Sequence, residues 1–365
     1  MIIKRFIAEN FRNIDKCDII FSNGVNLLYG DNAQGKTNAI EGIYIFARGK
    51  SFRASEDKEL VKFEKEGFRL FIEYEDKKGE NSLEYSFFGR ERRRKKNGYK
   101  IEKIKEMIGN FKAVLFYPDD LGLVKNSPEE RRAFLNVAIS QCYDCYISYY
   151  SNYKKALENR NCLLKLASKG MYVDNNELIS WSYYMAEYAS YIYYLRKEYT
   201  EKLSNYSKKL MNQISDSKED IEIIYKSDIK EDIKDRKDAE CEYKRIFTEE
   251  IEREKIVGST LFGIHRDDIL ININGKSARL YASQGQQRSI VLSLKLGEGE
   301  VIKEICGEYP VFLFDDVLSE LDEKRKKFII EGIGERQIII TSCEKDNNFL
   351  PEKKIEVNLG IYKGN

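Results

Sequence analysis

The opening of the chain alternates apolar and polar residues in short runs, a pattern that predicts β-strands. We expect strands over residues 2–8, 18–21 and 25–29, because each run is rich in β-branched and aromatic residues and is followed by turn-forming residues. Helical spacing over residues 36–47 follows a glycine-rich loop. The order strand, loop, helix places that loop at the end of a buried strand.

Residues 67–115 return to short alternating runs, which predict antiparallel strands. The pair Asn97-Gly98 lies between two such runs, and we expect a hairpin turn there, because asparagine and glycine tolerate the positive φ angles that such a turn requires. Near the end of the chain, further strands are predicted around residues 269–273, 311–314 and 337–341.

The middle of the chain has a helical pattern. Ser127-Pro128-Glu129-Glu130 has a capping residue, a proline at the first helical position and a glutamate three residues after the cap, so a long helix is predicted to begin there. Apolar and tyrosine positions recur at heptad spacing on both sides of residues 168–170, which predicts an antiparallel helical hairpin with arms of about 55 Å. A charged stretch over residues 218–237 and a third helix ending near residue 253 follow.

These patterns predict an α/β fold with an inserted all-helical arm. We expect residues 1–122 and 247–365 to form an α/β head, and residues 123–246 to form the arm. Fourteen of the 25 tyrosines lie between residues 143 and 206. They are either the packing surface of two amphipathic helices, which the seam spacing favours, or a surface on which bases stack.

Composition excludes some classes of protein. With 42% hydrophobic and 34% charged residues in 365, the chain is typical of a globular protein, and no run reaches the roughly 18 apolar residues of a membrane span. The first residues have no leader pattern and the seven cysteines are an odd number, so we expect reduced thiols and a cytoplasmic location. A net charge of +1 means that any nucleic-acid surface must be a local patch.

The glycine-rich loop fits the pattern G-x-x-x-x-G-K-[ST] between a strand and a helix. In such loops the main-chain amides face phosphate oxygens, the lysine neutralises the terminal phosphates of ATP, and the hydroxyl coordinates Mg²⁺. The predicted nucleotide-binding residues are Gly30, Asp31, Asn32, Ala33, Gln34, Gly35, Lys36 and Thr37.

An acidic pair follows the apolar run 311–314. We expect Asp315 to hold Mg²⁺ together with Thr37, and Asp316 to orient the attacking water, so that Lys36, Asp315 and Asp316 form the catalytic set. Most ABC-type ATPases have glutamate at the second position. The shorter aspartate predicts slow hydrolysis.

Ser283-Gln284-Gly285-Gln286-Gln287-Arg288 resembles the ABC signature. Ser283, Gly285 and Gln286 are predicted to meet a γ-phosphate, although the same residues also suit a plain helix cap. Residues 318–322 resemble the D-loop that follows the acidic strand in these ATPases. Together these motifs predict that residues 1–122 and 247–365 form an ABC-type P-loop ATPase head. We expect ATP to join two subunits, with each signature covering the nucleotide of its partner.

Six further segments resemble the RecF family, whose heads are similar to those of the structural-maintenance-of-chromosomes proteins. They are Glu9-Asn10-Phe11-Arg12-Asn13, Lys50-Ser51-Phe52-Arg53, Tyr117-Pro118-Asp119-Asp120, Pro128-Glu129-Glu130-Arg131-Arg132, His265-Arg266-Asp267-Asp268 and the segment that begins at Asp315. The resemblance implies an ATP-dependent DNA-binding dimer that acts on duplex or gapped DNA with RecO and RecR and aids RecA loading. It also implies that Arg12 and Asn13 lie near the nucleotide.

Three features depart from the general ABC pattern or leave alternatives open. The switch-histidine position after the last predicted strand holds Thr341-Ser342, and a glutamine loop is not recognisable. His265 is the only histidine, for which a structural hydrogen bond is favoured over catalysis. Cys142-Tyr143-Asp144-Cys145 has no second cysteine pair, so we expect it to lie in a helix and not to bind zinc.

The densest basic segment is Arg92, Arg93, Arg94, Lys95 and Lys96. It is predicted either to contact DNA phosphates or to be a solvated strand edge. The rival functions are a transporter ATPase subunit, another SMC-like or nuclease-linked ABC ATPase, and a module in which ATP is purely structural. The long insertion speaks against the first, and the lack of a nuclease domain after residue 365 speaks against the second.

Overall fold

The computed structural model describes residues 1–229, 233–318, 321–332, 334, 336–343 and 351–364. Two compact units are present. The first consists of Met1–Leu121, Tyr206–Glu219 and Ser283–Asn365, and the second of Gly122–Asn205 and Asp220–Ala282. Residues 247–282 therefore group with the helical residues, whereas the sequence-based division placed them in the head.

The first unit contains a six-stranded sheet in the order β15-β14-β3-β13-β12-β8. Its strands other than β15 run parallel. Runs such as Val-Phe-Leu-Phe in β12 are apolar at every position because parallel strands are covered on both faces. The strands are β3 (Val25–Tyr29), β8 (Ala113–Phe116), β12 (Val311–Phe314), β13 (Ile338–Ser342), β14 (Lys353–Asn358) and β15 (Ile361–Gly364).

An antiparallel sheet in the order β2-β1-β4-β5-β6-β7 completes the strands of this unit, and its hairpin turn lies at the predicted pair Asn97-Gly98. Its strands are β1 (Ile2–Phe11), β2 (Ile14–Ile20), β4 (Gly67–Asp76), β5 (Gly79–Phe88), β6 (Glu91–Lys96) and β7 (Tyr99–Ile101). Helix α1 (Lys36–Arg48) is buried on nearly all sides and contacts both β1 and β13. Helices α9 (Gln284–Cys306) and α10 (Glu323–Gly332) also belong here.

The second unit is mostly helical. Its helices are α2 (Gly122–Lys125), α3 (Pro128–Cys142), α4 (Tyr146–Ala167), the first thirty-one residues or so of α5 (Asn175–Ser215), α6 (Arg236–Glu249), α7 (Ile251–Val257) and α8 (Ala278–Tyr281). The break predicted at residues 168–170 is present between α4 and α5. Ser127 is the N-cap of α3, but its side chain makes no capping bond.

Two details of the predicted arm are wrong. The first helix does not run unbroken, because it stops at Cys142 and restarts at Tyr146, so Cys142-Tyr143-Asp144-Cys145 spans this break and does not lie within a helix. The arm also contains a three-stranded sheet, β11-β10-β9, formed by β9 (Ile221–Lys226), β10 (Asp268–Ile273) and β11 (Lys276–Ser277). Strand β9 lies in the charged stretch over residues 218–237, for which no strand was predicted.

Some of the tyrosines between residues 143 and 206 pack against one another, and others, among them Tyr172 and Tyr194, are exposed. Tyr149 stacks on Tyr191 at 4.3 Å between ring centroids, and Tyr146, Tyr153 and Tyr199 are fully buried. Among the described residues, no helix has the length and the apolar run that crossing a bilayer would need.

Candidate nucleotide-binding site

The carboxyl ends of three parallel strands meet at one edge of the head sheet. Residues 30–37 follow β3, Asp315 follows β12, and Thr341 lies at the end of β13, between the first two strands in the sheet order. Loops at this edge of an α/β sheet are where ligands bind. The fold thus brings together the loop and the acidic pair that are 278 residues apart in sequence at Thr37 and Asp315.

The loop over residues 30–37 depends on its glycines. Gly30 has a φ of +152° and Gly35 a φ of +115°. A Cβ atom on Gly30 would lie 2.2 Å from the carbonyl oxygen of Val357, so no other residue fits there. Ala33 also has a positive φ, of +64°, and Asp31, Asn32 and Ala33 are exposed at the outer bend of the loop.

Lys36 is buried beneath this loop without a counter-charge. Its side-chain ammonium donates to the carbonyl oxygens of Gly30 at 2.6 Å and Asp31 at 2.8 Å, and the residue is 3% exposed. In the part of the chain that the structure describes, no carboxylate lies within 4.0 Å of this ammonium. A buried cation that lacks an anion is costly by itself and is stabilised by an anionic ligand, so the site fits a phosphate group.

Asp315 is the acidic counterpart at the same edge. Its Oδ1 atom accepts hydrogen bonds from the hydroxyls of Thr37 and Thr341, each at 2.9 Å. Burial raises the pKa of this carboxyl, while the two hydroxyl bonds act in the opposite direction. A buried carboxylate beside a threonine hydroxyl, with no Lys or Arg within 4.0 Å among the described residues, suits a small divalent cation with oxygen ligands.

Thr341 is a site residue whose role the sequence did not reveal. It occupies the position where other ABC ATPases have the switch histidine. Its hydroxyl donates to Asp315 and accepts from the main-chain N–H of Asp316 at 2.9 Å. Asp316 itself has a φ of +53°, a conformation that is strained for a residue other than glycine. Thr341 thus holds the carboxylate of Asp315 and the main chain of Asp316.

A fully buried carboxylate, Glu41 in α1, holds a second group of predicted residues. It accepts two hydrogen bonds from Arg12, at 2.8 and 3.0 Å, and one from the Ser51 hydroxyl, and Arg53 lies 3.6 Å away. The position of Glu41 within a predicted helix gave no reason to expect it to be a site residue. The Glu-Asn-Phe-Arg-Asn and Lys-Ser-Phe-Arg segments are joined through this one carboxylate.

Asn13 contacts the phosphate loop directly. Its amide donates to the carbonyl of Ala33 at 3.3 Å, and its oxygen accepts from Asn38 at 2.7 Å. The structure therefore places Asn13 against residues 30–37 and places Arg12 beside it, anchored on Glu41.

The hairpin β14–β15 supports the phosphate loop from behind. The main-chain N–H groups of Gly360 and Leu359 donate to Gln34, at 2.8 Å to its carbonyl and 2.6 Å to its side-chain oxygen. The hydroxyl of Tyr362 donates to the carbonyl of Gly35 at 2.8 Å, and burial raises the pKa of Tyr362 well above its usual value. This hairpin was not predicted from the sequence.

The signature-like segment begins helix α9. Ser283 is its N-cap, and the Ser283 and Gln286 side chains exchange hydrogen bonds with each other's main-chain N–H groups. Ser283 is exposed, and a Cβ on Gly285 would meet only the end of Arg325, at 4.0 Å. Within the described residues no hydrogen bond joins residues 283–286 to residues 30–37. The D-loop-like segment is described only in part, because Ser319 and Glu320 lie outside the described residues.

Strand β6 carries the predicted DNA-binding cluster. Each of its five cations has a partner: Arg92 pairs with Asp57, Arg93 with Glu91, Lys95 with Glu84, Arg94 lies over the ring of Tyr85, and Lys96 donates to Asn110. Much of the positive charge of this segment is therefore balanced by neighbouring carboxylates.

The second unit contains a different polar cluster, built on His265-Arg266-Asp267-Asp268. His265 Nδ1 shares a 2.7 Å hydrogen bond with the Tyr153 hydroxyl, and burial, with a smaller contribution from nearby arginines, lowers the pKa of His265 to about 4. Asp267 is buried with Arg196 and accepts from the hydroxyl of Tyr225. These residues are bonded to helices of their own unit, which favours the structural role predicted for His265.

The chain resembles known proteins over its full length. The family model described as the RecF/RecN/SMC N terminal domain matches residues 2–363. The DNA replication and repair protein RecF of Clostridioides difficile (strain 630) is 38% identical over 368 residues, which cover 100% of this chain and 97% of that protein. RecF of Acetivibrio thermocellus is also 38% identical, and the alignment covers 99% of each chain.

Solved structures give the same result for the fold. The recombination mediator protein RecF-ATP in the RecFOR pathway superposes with a TM-score of 0.93 at 35% identity, covering 100% of this chain and 97% of that one. The Smc head domain derived from Pyrococcus furiosus superposes with a TM-score of 0.57 at 18% identity, covering 100% and 96%, a likeness of fold alone. The predicted ABC-type head is confirmed.

Proposed function

Because the chain belongs to the RecF family of DNA replication and repair proteins, we propose that it is an ATP-gated, dimeric DNA clamp of recombinational repair and replication restart. The family's ATPase head is ABC-type, and a RecF structure contains ATP. The observation that carries the nucleotide part of the proposal is the buried ammonium of Lys36, which has no carboxylate partner among the described residues. Work on chromosomal DNA would place the protein in the cytoplasm of a bacterium.

The residues around Lys36 divide the binding of ATP and Mg²⁺ between them. The main-chain amides of residues 30–37 and the Lys36 ammonium would hold the phosphates. Thr37 and Asp315, already 2.9 Å apart, would hold the Mg²⁺, whose charge offsets that of the phosphates. Asn13, in contact with the loop, and Arg12 beside it would line the nucleotide.

Asp316 is proposed to orient the attacking water in a slow hydrolysis reaction. Its main chain is held by Thr341, in a backbone conformation that only a constrained residue keeps. Its side chain is one methylene shorter than the glutamate of most ABC ATPases. The rate of ATP hydrolysis therefore sets how long the protein stays bound to DNA, and hydrolysis releases the protein from DNA.

The signature segment supports dimerisation. Ser283 is exposed, and a Cβ on Gly285 would have no neighbour closer than 4.0 Å. Neither residue is hydrogen-bonded to residues 30–37 in the described chain. In a two-fold dimer, each signature would cover the nucleotide of the partner subunit, so two sites form at once.

A mixing experiment tests the shared site. Lys36→Ala and Ser283→Arg subunits should each be inactive alone, whereas a mixture contains heterodimers with one site that has an intact loop and an intact partner signature. Partial ATPase activity should therefore return on mixing. A mixture as inactive as its parts, with a mass that stays monomeric at saturating ATP, would eliminate the shared-site dimer.

DNA, RecO and RecR are the proposed partners, and RecA loading is the proposed outcome. The RecF proteins whose structures match this chain act in the RecFOR pathway. Arg92, Arg93, Arg94, Lys95 and Lys96 stay candidates for DNA contact, although their carboxylate partners would have to be displaced first.

The proposed function is tested by DNA binding with and without ATP. Fluorescence anisotropy with labelled duplex, single-stranded and gapped DNA should show tighter binding to duplex or gapped DNA when ATP is present. Lys36→Ala should abolish the ATP effect. Equal binding with and without ATP, in a protein that still binds ATP, would contradict the clamp.

A further inference from the structure

Two motifs of the second unit are fastened to each other. Arg131, near the start of α3, makes two hydrogen bonds to the carboxylate of Asp268, at 2.7 and 2.9 Å, and is buried. The next residue, Arg132, donates to the main-chain carbonyl of Asp267 at 2.8 Å. Pro-Glu-Glu-Arg-Arg and His-Arg-Asp-Asp thus form one rigid corner of this unit.

The carboxylates of this corner are already used. Asp268 pairs with Arg131, and Asp267, only 2% exposed, lies 3.7 Å from Arg196 and accepts from the Tyr225 hydroxyl. Neither is within ion-pair distance of Arg132 or Arg266. Both aspartates therefore have an arginine partner, and of the pair Arg131-Arg132 only Arg131 is bonded to one of them.

Arg132 and Arg266 are left with main-chain partners only. Arg132 has its single bond to the Asp267 carbonyl, and Arg266 has one long bond, 3.4 Å, to the carbonyl of Thr260. In the described chain no carboxylate lies within 4.0 Å of either guanidinium group. Arg266 is exposed and Arg132 is half-buried.

The two guanidinium groups lie in the same neighbourhood. Both are close enough to His265 that their positive charge adds to the effect of burial in lowering its pKa. Because His265 is therefore neutral near pH 7, it does not repel a cationic neighbour, and it adds no charge of its own. The corner presents two arginine charges that its own residues do not neutralise.

We propose that Arg132 and Arg266 form a phosphate-binding surface on the second unit that contacts the sugar–phosphate backbone of DNA. This inference rests on the proposed function, and it adds a DNA contact outside strand β6. A guanidinium group has five N–H donors in a planar fork that matches phosphate oxygens, and each of these arginines uses one. The bond from Arg132 to a main-chain carbonyl fixes its fork before DNA arrives.

The contrast with β6 favours this corner as a DNA contact. Three of the five β6 cations have carboxylate partners, at Asp57, Glu91 and Glu84, whereas Arg132 and Arg266 have none in the described part of the chain. Phosphate contacts carry no sequence information, so binding through these arginines would be the same for any DNA sequence.

The test is the salt dependence of duplex binding in the presence of ATP for the double variant Arg132→Gln/Arg266→Gln. Affinity should fall by at least about 10-fold, and the slope of log K against log salt concentration should become shallower by about 1.8, since each lost phosphate contact contributes about 0.9. The matched control is Arg245→Gln/Arg253→Gln. It removes the same charge from the same unit, but these arginines are paired with Glu242, Glu249 and Glu250. Its slope should stay that of the wild type.

Additional variants and competitors distinguish DNA contact from misfolding and from binding of an acidic protein. Arg266→Gln alone changes only an exposed side chain, so it keeps the test valid if loss of the Arg132 bond impairs folding, and its slope should become shallower by about 0.9. Inorganic phosphate at equal ionic strength should compete weakly. An unchanged slope in Arg266→Gln and in the folded double variant overturns the inference while the proposed function stands. Polyglutamate serves as a probe for an acidic protein partner. If the double variant loses binding of polyglutamate but keeps binding of DNA, the surface binds an acidic protein and the inference is overturned. A wild-type protein that binds no DNA at all removes both proposals.

Discussion

The head site and the His265 corner use similar residues for opposite purposes. Around Lys36 and Asp315, a buried cation and a buried carboxylate each have no ionic partner among the described residues. In the second unit, Arg160 and Glu254 are equally buried, yet they pair at 2.6 Å, and Arg196 lies 3.7 Å from Asp267. Charges that cancel within the protein hold it together, whereas charges that remain uncompensated are available to a ligand.

This difference separates motifs that the sequence presents alike. Gly-Lys-Thr and His-Arg-Asp-Asp are both short, polar and rich in charge. Only the partners of each side chain show that the first contains a buried cation bonded to main-chain carbonyls and that most of the second is structural. Within the second motif, Arg266 is the member without an ionic partner among the described residues.

The largest expected effect concerns stability. Glu254→Gln should lower the free energy of unfolding by about 3–5 kcal/mol, because it leaves the fully buried Arg160 without its counter-ion. Urea denaturation measures the loss, and ATP affinity of the folded protein should be unchanged. Glu252→Gln is the control, since its ion pair with Lys255 is largely exposed and should contribute less than about 1 kcal/mol. Equal losses in the two variants would contradict the structural role of the buried pair.

Removal of a buried charge in the head should lower the affinity for ATP and leave the stability of the fold unchanged or higher. Lys36→Ala should weaken ATP binding by at least about 100-fold, or about 2.7 kcal/mol, as measured by isothermal titration calorimetry. Its melting temperature without ATP should be equal to or above that of the wild type, because the variant removes an uncompensated buried charge. Lys58→Ala, at an exposed residue paired with Glu56, is the control for affinity. A melting temperature several degrees lower would mean that Lys36 stabilises the fold.

A smaller effect is expected for Asp316→Asn. Hydrolysis should slow by at least about 10-fold, because an amide cannot accept a proton from water, while ATP affinity stays within about 2-fold. Single-turnover kinetics with excess enzyme separates the chemical step from binding. Undiminished turnover would assign the orientation of water to another residue.

The smallest expected effect is the pH dependence contributed by His265. Its folded pKa of about 4 lies below the unfolded value of 6.5, so the unfolded chain binds more protons between these values and stability falls as the pH drops. Between pH 7.0 and 5.5 the loss should be about 1 kcal/mol. His265→Asn should lack it.

The difference between wild type and variant isolates the histidine from other groups. Glu298 in the head titrates in the same range, since burial raises its pKa to about 7, and it acts with the opposite sign. It contributes equally to both proteins and cancels. Identical pH profiles of the two proteins would show that His265 is not buried in its neutral form.

Sequence patterns predicted the local parts of the site. Strand β3, the loop over residues 30–37 and the start of α1 follow from neighbouring residues, and Asp315 follows from the apolar run before it. Strand β9 was missed because its charged flanks obscured it, although Ile221, Ile223, Ile224 and Tyr225 are β-branched or aromatic. That local β-propensity was the signal that could have identified it.

The missed parts of the site depend on contacts between distant segments. Thr341 was noted only as a missing histidine, because its bonds to Asp315 and Asp316 become visible once β12 and β13 are side by side. Glu41 has the sequence context of an ordinary helical residue, and its role depends on Arg12 and Arg53 arriving from elsewhere. No local sequence pattern predicts such contacts between distant residues.

The position of β3 in its sheet has a consequence for protein synthesis. Strand β3 is translated long before both of its neighbours, β13 and β14, and long before the hairpin that contacts Gln34 and Gly35. A nascent chain therefore carries the phosphate-loop sequence long before it has the loop in its folded form. A chain that stops before β14 and β15 lacks every hydrogen bond that the hairpin makes to Gln34 and Gly35, so its phosphate loop is held by fewer contacts.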